Sequence, residues 1–374
     1  MKLNNNQQAF LELVRTGLWE KDACLLLYGD IDFQEIYRLA QEQSVVGMLA
    51  AGLEHVVDLK VPQEIALQFA GDVLQLEHHN ISMNSFINVL FDKMCTADIY
   101  ALLVKGQGIA QCYTRPTWRA CGDVDLLLDN DNYEKAKRFL EDIADSHGDE
   151  LSGEKHIDYT VDSWVVELHG NMPSRLFKRI DNVLEEIQND TFSNKNVRIW
   201  KNGNTNLAIP APDNDVIFVF THILKHFFRG GIGIRQVCDW CRLLWTYKDS
   251  LNQELLGTRI QKMGLMSEWK AFAALAVCYL GMPIDAMPYF SDNIKWKRKT
   301  NRIAKLIFET GNFGHNRDMS YYEKYPYVIK KTISFWRHTW DSIRQFFIFP
   351  LDSIWVWGCM IEEGVLELRN KRKL

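Results

Sequence analysis

The chain has 374 residues, of which 47% are hydrophobic and 24% charged. That composition belongs to a folded globular protein with room for two or three units and a sizeable core, and it excludes a disordered chain. With 43 basic and 48 acidic residues the net charge is −5, which counts against a general nucleic-acid binder. The polar start, MKLNNNQQAF, has no apolar signal core, and the eight cysteines are scattered without a small-domain framework. Both features lead to the expectation of a cytoplasmic chain with reduced thiols.

Residues 1–98 read as an N-terminal helical region. Phe10, Leu11, Leu13 and Val14 begin an amphipathic stripe, Asp32 caps a helix through Ala40, and Val45 to Val57 continues the pattern. Pro62 opens a long helix whose apolar residues recur every three to four positions from Ala66 to Met94. Glu77, His78 and His79 on it read as a solvated face. Tyr100 to Val104 is a short apolar run, a buried strand. It ends at Lys105-Gly106-Gln107-Gly108, ahead of a helical turn over Ile109–Tyr113. Two glycines just after a strand suit a backbone that approaches a phosphate closely. Then comes Gly122-Asp123-Val124-Asp125-Leu126-Leu127-Leu128. Strand side chains alternate faces, so Asp123 and Asp125 share one face while Val124, Leu126 and Leu128 enter a core. Two adjacent carboxylates repel each other. A hard divalent cation relieves that, and so would the loss of one charge.

In Asp-x-Asp glycosyltransferases and aspartate-nucleophile phosphatases, the pair follows an apolar strand; here it leads one. Lys105-Gly106, then Arg119, then Gly122-Asp123-Val124-Asp125-Leu126-Leu127 resembles the uncharacterised bacterial nucleotidyltransferase-like family of the DNA polymerase β-type superfamily. The superfamily's usual Gly-Ser turn is replaced here by Lys-Gly. The resemblance implies an α+β, helix-rich fold: a small mixed-sheet nucleotidyltransferase core over residues 99–212, between the N-terminal helical region (1–98) and a C-terminal helical domain (213–374). It implies Mg²⁺, with Mn²⁺ as the alternative, a nucleoside triphosphate substrate, and a small-molecule or protein acceptor. Asp123 and Asp125 would hold the metal. Lys105 and the amides of Gly106, Gln107 and Gly108 would cradle the triphosphate beside Gly122, with Arg119 offsetting developing charge. The rival class is a noncatalytic nucleotide-binding or protein-interaction module that keeps the fold.

After a turn at Asp129–Asn132, Tyr133 to Ala144 is an amphipathic helix. His156–Val161 and Trp164–His169 read as two strands joined by a turn at Asp162-Ser163. The superfamily requires a third carboxylate on a neighbouring strand, and Glu167 in Val165-Val166-Glu167-Leu168-His169 matches that position as metal ligand or general base. His169 either contacts a phosphate or is structural. Residues 173–190 read as a helix, and Val197–Trp200 and Asn206–Ile209 as a hairpin about Asn202-Gly203. Pro210 and Pro212 mark a boundary.

Asp215 to Phe228 is a helix with His222 and His226 on one face, read as core or cleft-lining histidines. Beyond the Gly230–Gly233 break, Arg235 and Asp239 stand four apart. They are either a helix ion pair or, for Arg235, a contact to nucleotide phosphates. Cys238 and Cys241 lack a second pair and read as two helix-face thiols rather than a zinc site. Residues 251–312 are helical again, with a basic run over Ile294–Lys305. The aromatic-rich stretch Trp336–Met360 is broken by Asp341, Pro350 and Asp352, so it is no membrane span. The basic tail Arg369–Leu374 suits weak contact with an anionic membrane surface.

Overall fold

A computed structural model of the chain describes residues 3–150, 155–172, 174, 176–314 and 324–371. The architecture is α+β and helix-rich. Four helices come first: α1 (Asn5–Trp19), α2 (Phe33–Glu42), α3 (Val46–Leu53) and α4 (Gln63–Thr96). The side chain of Asp32 accepts from the Gln34 amide and caps α2, as its sequence position predicts. A five-stranded sheet follows, built from β1 (Leu102–Val104), β2 (Asp123–Leu127), β3 (Ser146–His147), β4 (His156–Val161) and β5 (Trp164–His169). Its spatial order is β1-β2-β5-β4-β3, and only the β2–β5 pair is parallel. The crossover between them carries α6 (Asn130–Ile143), while α5 (Gly106–Ala110) lies between β1 and β2.

Alternation gives the sheet two unlike faces. Val124, Leu126, Leu128, Val166 and Leu168 pack with Tyr133, Ala136 and Leu140 of α6 and with Met83, Ile87 and Leu90 of α4. The opposite face carries Asp123, Asp125, Glu167 and His169. The helix α4, about 50 Å long at 1.5 Å per residue, serves both cores: Ile65, Phe69 and Val73 belong to the helical one, Met83 to Met94 to that of the sheet. Its polar middle is solvated at His78 and His79, as expected, but Glu77 is half-buried and the segment also holds the loop before β2. The Trp118 indole donates to Glu77 (2.7 Å), His79 Nε2 meets the Cys121 carbonyl (3.0 Å), and Asn80 Nδ2 donates to the carbonyls of Thr117 (2.7 Å) and Arg119 (2.9 Å). These bonds fix the loop that leads into β2.

Next come α7 (Lys178–Ser193), which starts later than the periodicity predicts, and the hairpin β6 (Val197–Asn202) and β7 (Thr205–Pro210). Positions 173 and 175 of the expected helix lie outside the described residues. The C-terminal helices are α8 (Pro212–Arg229), α9 (Ile234–Thr246), α10 (Gln253–Met263), α11 (Met266–Leu280), α12 (Ile294–Thr310), α13 (Tyr327–Phe346) and α14 (Pro350–Lys371). They share a core with the N-terminal helices. Phe10 meets Phe308 edge-on (5.7 Å), Trp19 meets Trp245 (5.7 Å), and Gln43 Nε2 donates to the Ile307 carbonyl (3.2 Å). Within this core Phe220 of α8 lies 5.2 Å from Trp240 and 4.8 Å from Trp269. Burying three such rings contributes about 2–3 kcal/mol each. It also fixes the rotation of α8, so that Phe218, His222 and Lys225 face the polar side of the sheet. Cys238 and Cys241 are buried and free, in keeping with two helix-face thiols. No helix among the described residues is long and apolar enough to cross a membrane. Positions 372–374 of the basic tail, and with them the expected membrane-surface contact, lie outside the described residues.

Candidate active site

The polar sheet face and the helices α8 and α9 enclose a cavity of about 320 Å³. Strand register sets its chemistry. In the parallel β2–β5 pair Asp125 lies directly across from Glu167, and Asp123 across from Val165. Cross-strand partners share a face, so all three carboxylates turn to the cavity. The antiparallel β1–β2 pair puts Val104 opposite Asp125, which brings the next residue, Lys105, over the carboxylates. Lys105 Nζ donates to Asp125 Oδ1 at 2.6 Å, and His169 Nε2 lies 2.8 Å from the same oxygen. Asp125 is only 3% exposed.

Burial shifts these groups strongly. Asp123 is pushed up to about 6, first by burial and then by the nearby charges of Asp125 and Glu167. Burial would also raise Glu167, but hydrogen bonds from His156 and His169 and the charge of Lys105 outweigh it and hold the carboxyl well below the ordinary range. Burial works to neutralise Lys105, yet Asp125 and Glu167 prevail and raise its ammonium above the usual lysine value. For His169 the contacts with Asp125 and Glu167 likewise overcome burial and Lys105, so the imidazole is raised. Across the cavity burial and Lys105 lower His222 and His226, the latter to about 3. Both are neutral rings lining the cleft, 4.4 Å apart between centroids.

Lys105 adopts φ +56° and ψ −143°, a region that essentially only glycine occupies and that costs a lysine about 1–3 kcal/mol. The chain turns so sharply there that Gly106 also has φ +36°, and a Cβ on it would meet Cys121 Sγ at 3.1 Å. Strain at the residue that reaches the carboxylates yields a prediction. Lys105→Gly should be more stable than Lys105→Ala by about 1–2 kcal/mol in chemical denaturation. Both should bind Mg²⁺–triphosphate less tightly than the wild type. Equal stability of the two would remove the strain argument, and unchanged affinity would remove the phosphate role.

Of the residues singled out in the sequence, Lys105, Gly106, Arg119, Asp123, Asp125, Glu167, His169 and Arg235 line the cavity. Gln107, Gly108 and Gly122 do not. Gln107 is buried and donates to Asn80 Oδ1 (2.7 Å). Gly108 is a packing glycine, whose Cβ would come within 3.3 Å of Ile209 on β7. Gly122 is exposed, with open space around it. The expected cradle of amides therefore reduces to Lys105 and Gly106. Arg119 touches the cavity wall, but its guanidinium is spent elsewhere. It is 3% exposed and binds Asp239 in a fork, Nε to Oδ1 at 2.9 Å and Nη2 to Oδ2 at 2.7 Å, while Tyr113 donates to the same Oδ1 at 2.8 Å. The expected Arg235–Asp239 ion pair is present but loose, because Arg119 holds the same carboxylate more closely. Arg235 stands 4.0 Å from Asp239, bonds the Ala120 carbonyl (3.2 Å), and keeps a buried Nε without a hydrogen-bond partner among the described residues.

Sequence reasoning missed His156, whose Nε2 lies 3.4 Å from Glu167 Oε2 and whose ring stacks on His169 at 4.7 Å. The signal was there: counting outward from the Asp162-Ser163 turn pairs Val161 with Trp164 and, five residues further, His156 with His169. It also missed Asn171, Ser174 and Thr221, which line the same cavity.

The arrangement is an acidic row on rigid strands, flanked by cations and roofed by neutral aromatic rings. Neither curated proteins nor solved structures gave a significant match. A family described as "Uncharacterised nucleotidyltransferase" matches residues 29–281, more than half of the chain and the whole of the acidic row. The chain belongs to that nucleotidyltransferase family.

Proposed function

We propose that the protein transfers a nucleoside monophosphate from a nucleoside triphosphate to a small-molecule or protein acceptor, expelling pyrophosphate, with a divalent cation held by Asp123, Asp125 and Glu167. The observation that carries this reading is the register that sets Asp125 against Glu167 on the face shared with Asp123. The donor set fits: three carboxylates on adjacent strands offer only oxygen, which Mg²⁺ prefers, and the upward shift of Asp123 marks a place short of positive charge. Such a cation, when bound, withdraws charge from the triphosphate and favours the ionised form of a ligated oxygen.

The chain's own residues supply the rest. Glu167, level with Asp125 on the neighbouring strand, serves as a ligand of that cation or as the general base for the acceptor hydroxyl. Lys105 neutralises Asp125 in the nucleotide-free state and is placed to turn to a phosphate oxygen. Arg235, with an unspent Nε, takes the charge-offsetting role expected of Arg119. Phe218 and the neutral His222 and His226 offer a flat, uncharged wall for a base or acceptor. One observation favours the noncatalytic module: Lys105 Nζ already serves Asp125 as an internal cation. Incubation with each nucleoside triphosphate and Mg²⁺, screened for pyrophosphate release and self-labelling, separates the two. Binding without release for every triphosphate would favour the module.

The raised Asp123 makes a pH-dependent prediction. An acid whose folded value (about 6) exceeds its unfolded value (3.8) binds more protons when folded, so it weakens the fold as pH rises through that window. Without divalent cations, Asp123→Asn is expected to exceed the wild type by on the order of 2 kcal/mol at pH 7.5, and to match it below about pH 4. Thermal melts at both pH values check this. A variant less stable than wild type at pH 7.5 would contradict it.

A further inference from the structure

We propose that His156, Glu167 and His169 form a seat for a divalent transition cation, Zn²⁺ or Mn²⁺, beside the oxygen-only Asp123–Asp125 pair and sharing Glu167 with it. The argument starts from distances. His156 Nε2 and His169 Nε2 each lie 3.4 Å from Glu167 Oε2. That is long for a hydrogen bond to a carboxylate, which settles near 2.7–2.9 Å. The neighbouring contacts of Asp125 are much shorter: 2.6 Å to Lys105 and 2.8 Å to His169. By contrast, two ligands each about 2.1 Å from one cation at a tetrahedral angle stand roughly 3.4 Å apart. The three donor atoms all fall within 4.8 Å of one another.

The scaffold holds them there. His156 and His169 are direct partners across the β4–β5 hairpin, and their rings stack at 4.7 Å with 22° between planes. Both rings present Nε2 to the carboxylates around Glu167, and His169 Nε2 also reaches Asp125 Oδ1 at 2.8 Å. A neutral imidazole that keeps its proton on the outer nitrogen offers Nε2 as a lone pair, so two such rings beside one carboxylate form a ready donor set for a single cation. Asp158, opposite Glu167, brings a further oxygen to 3.3 Å from His156 Nε2. Imidazole nitrogen favours Zn²⁺ over Mg²⁺, which takes oxygen and water, while Mn²⁺ accepts either donor and so reports which it meets.

The test uses the full chain, stripped with chelator and titrated with Mn²⁺ in the absence of nucleotide. Pulsed electron paramagnetic resonance of the bound Mn²⁺ should show histidine ¹⁴N couplings, and a large excess of Mg²⁺ should leave them in place. His156→Gln should weaken Mn²⁺ binding roughly 100-fold and remove part of the nitrogen coupling, while circular dichroism reports an unchanged fold. Oxygen-only coordination in the wild type would overturn the proposal without any variant. So would an undiminished affinity in His156→Gln, or the absence of a bound ion. None of these readouts requires turnover, so a chain that never releases pyrophosphate leaves this test intact, and an oxygen-only Mn²⁺ leaves nucleotidyl transfer standing.

Discussion

Asp125→Asn is expected to lower Mg²⁺-dependent nucleotidyl transfer by about 10³-fold or more and to destabilise the fold by on the order of 2 kcal/mol. The first effect follows from the charge the cation needs. The second reverses what the sequence implies. Two aspartates on one strand face repel, and removal of one promises relief. In the folded chain the relief has already been arranged at Asp125, which is 3% exposed and accepts from Lys105 and His169. An amide there leaves two buried donors with one neutral oxygen between them. Asp123 carries the unrelieved repulsion instead, so the two carboxylates should respond with opposite signs of stability and the same loss of activity. Pyrophosphate release and thermal melting on both variants check the pair. An Asp125→Asn protein that transfers at the wild-type rate would show that Asp125 holds no metal.

Arg119→Met is expected to be the most damaging single change to the fold, costing about 3–5 kcal/mol in denaturant unfolding. It removes the guanidinium from a buried fork and leaves the Asp239 carboxylate, between α9 and the loop before β2, with the Tyr113 hydroxyl and the more distant Arg235. Burial opposes the Arg119 charge, but Asp239 more than compensates and holds the guanidinium firmly protonated. The pair belongs to the frame that orients the Asp123 strand rather than to the reacting groups. Replacing both partners, Arg119→Met with Asp239→Leu, should therefore recover much of the lost stability. Equal instability of the single and double variants would mean that Arg119 acts through something other than Asp239.

What was legible in the sequence was what local periodicity carries. Alternation along β2 sets the faces of Asp123 and Asp125, and the hairpin about Asp162-Ser163 sets Glu167 and His169 on a neighbouring strand. What was not legible depends on partners far along the chain. Arg119 finds Asp239 120 residues away, and no local signal distinguishes a buried structural arginine from one waiting for phosphate. Gln107 and Gly108 look like a phosphate loop until Asn80 and Ile209 arrive from α4 and β7 to bury them. The middle of α4 reads as solvated, and His78 and His79 are exposed, but the partners that the loop before β2 brings to Glu77 and His79 have no local signal. His156 was within reach of a residue-by-residue count from the turn.

The most direct test of the central claim is to supply the wild type with Mg²⁺ and one nucleoside triphosphate labelled in two ways, at the α-phosphorus and at the γ-phosphorus. Nucleotidyl transfer breaks the bond between the α- and β-phosphates. The account predicts that the α label passes to an acceptor, or to the protein itself, and that the γ label leaves in pyrophosphate. Neither should move in Asp125→Asn. A γ label on the acceptor with the α label left in nucleoside diphosphate would mean phosphoryl transfer and would contradict the account.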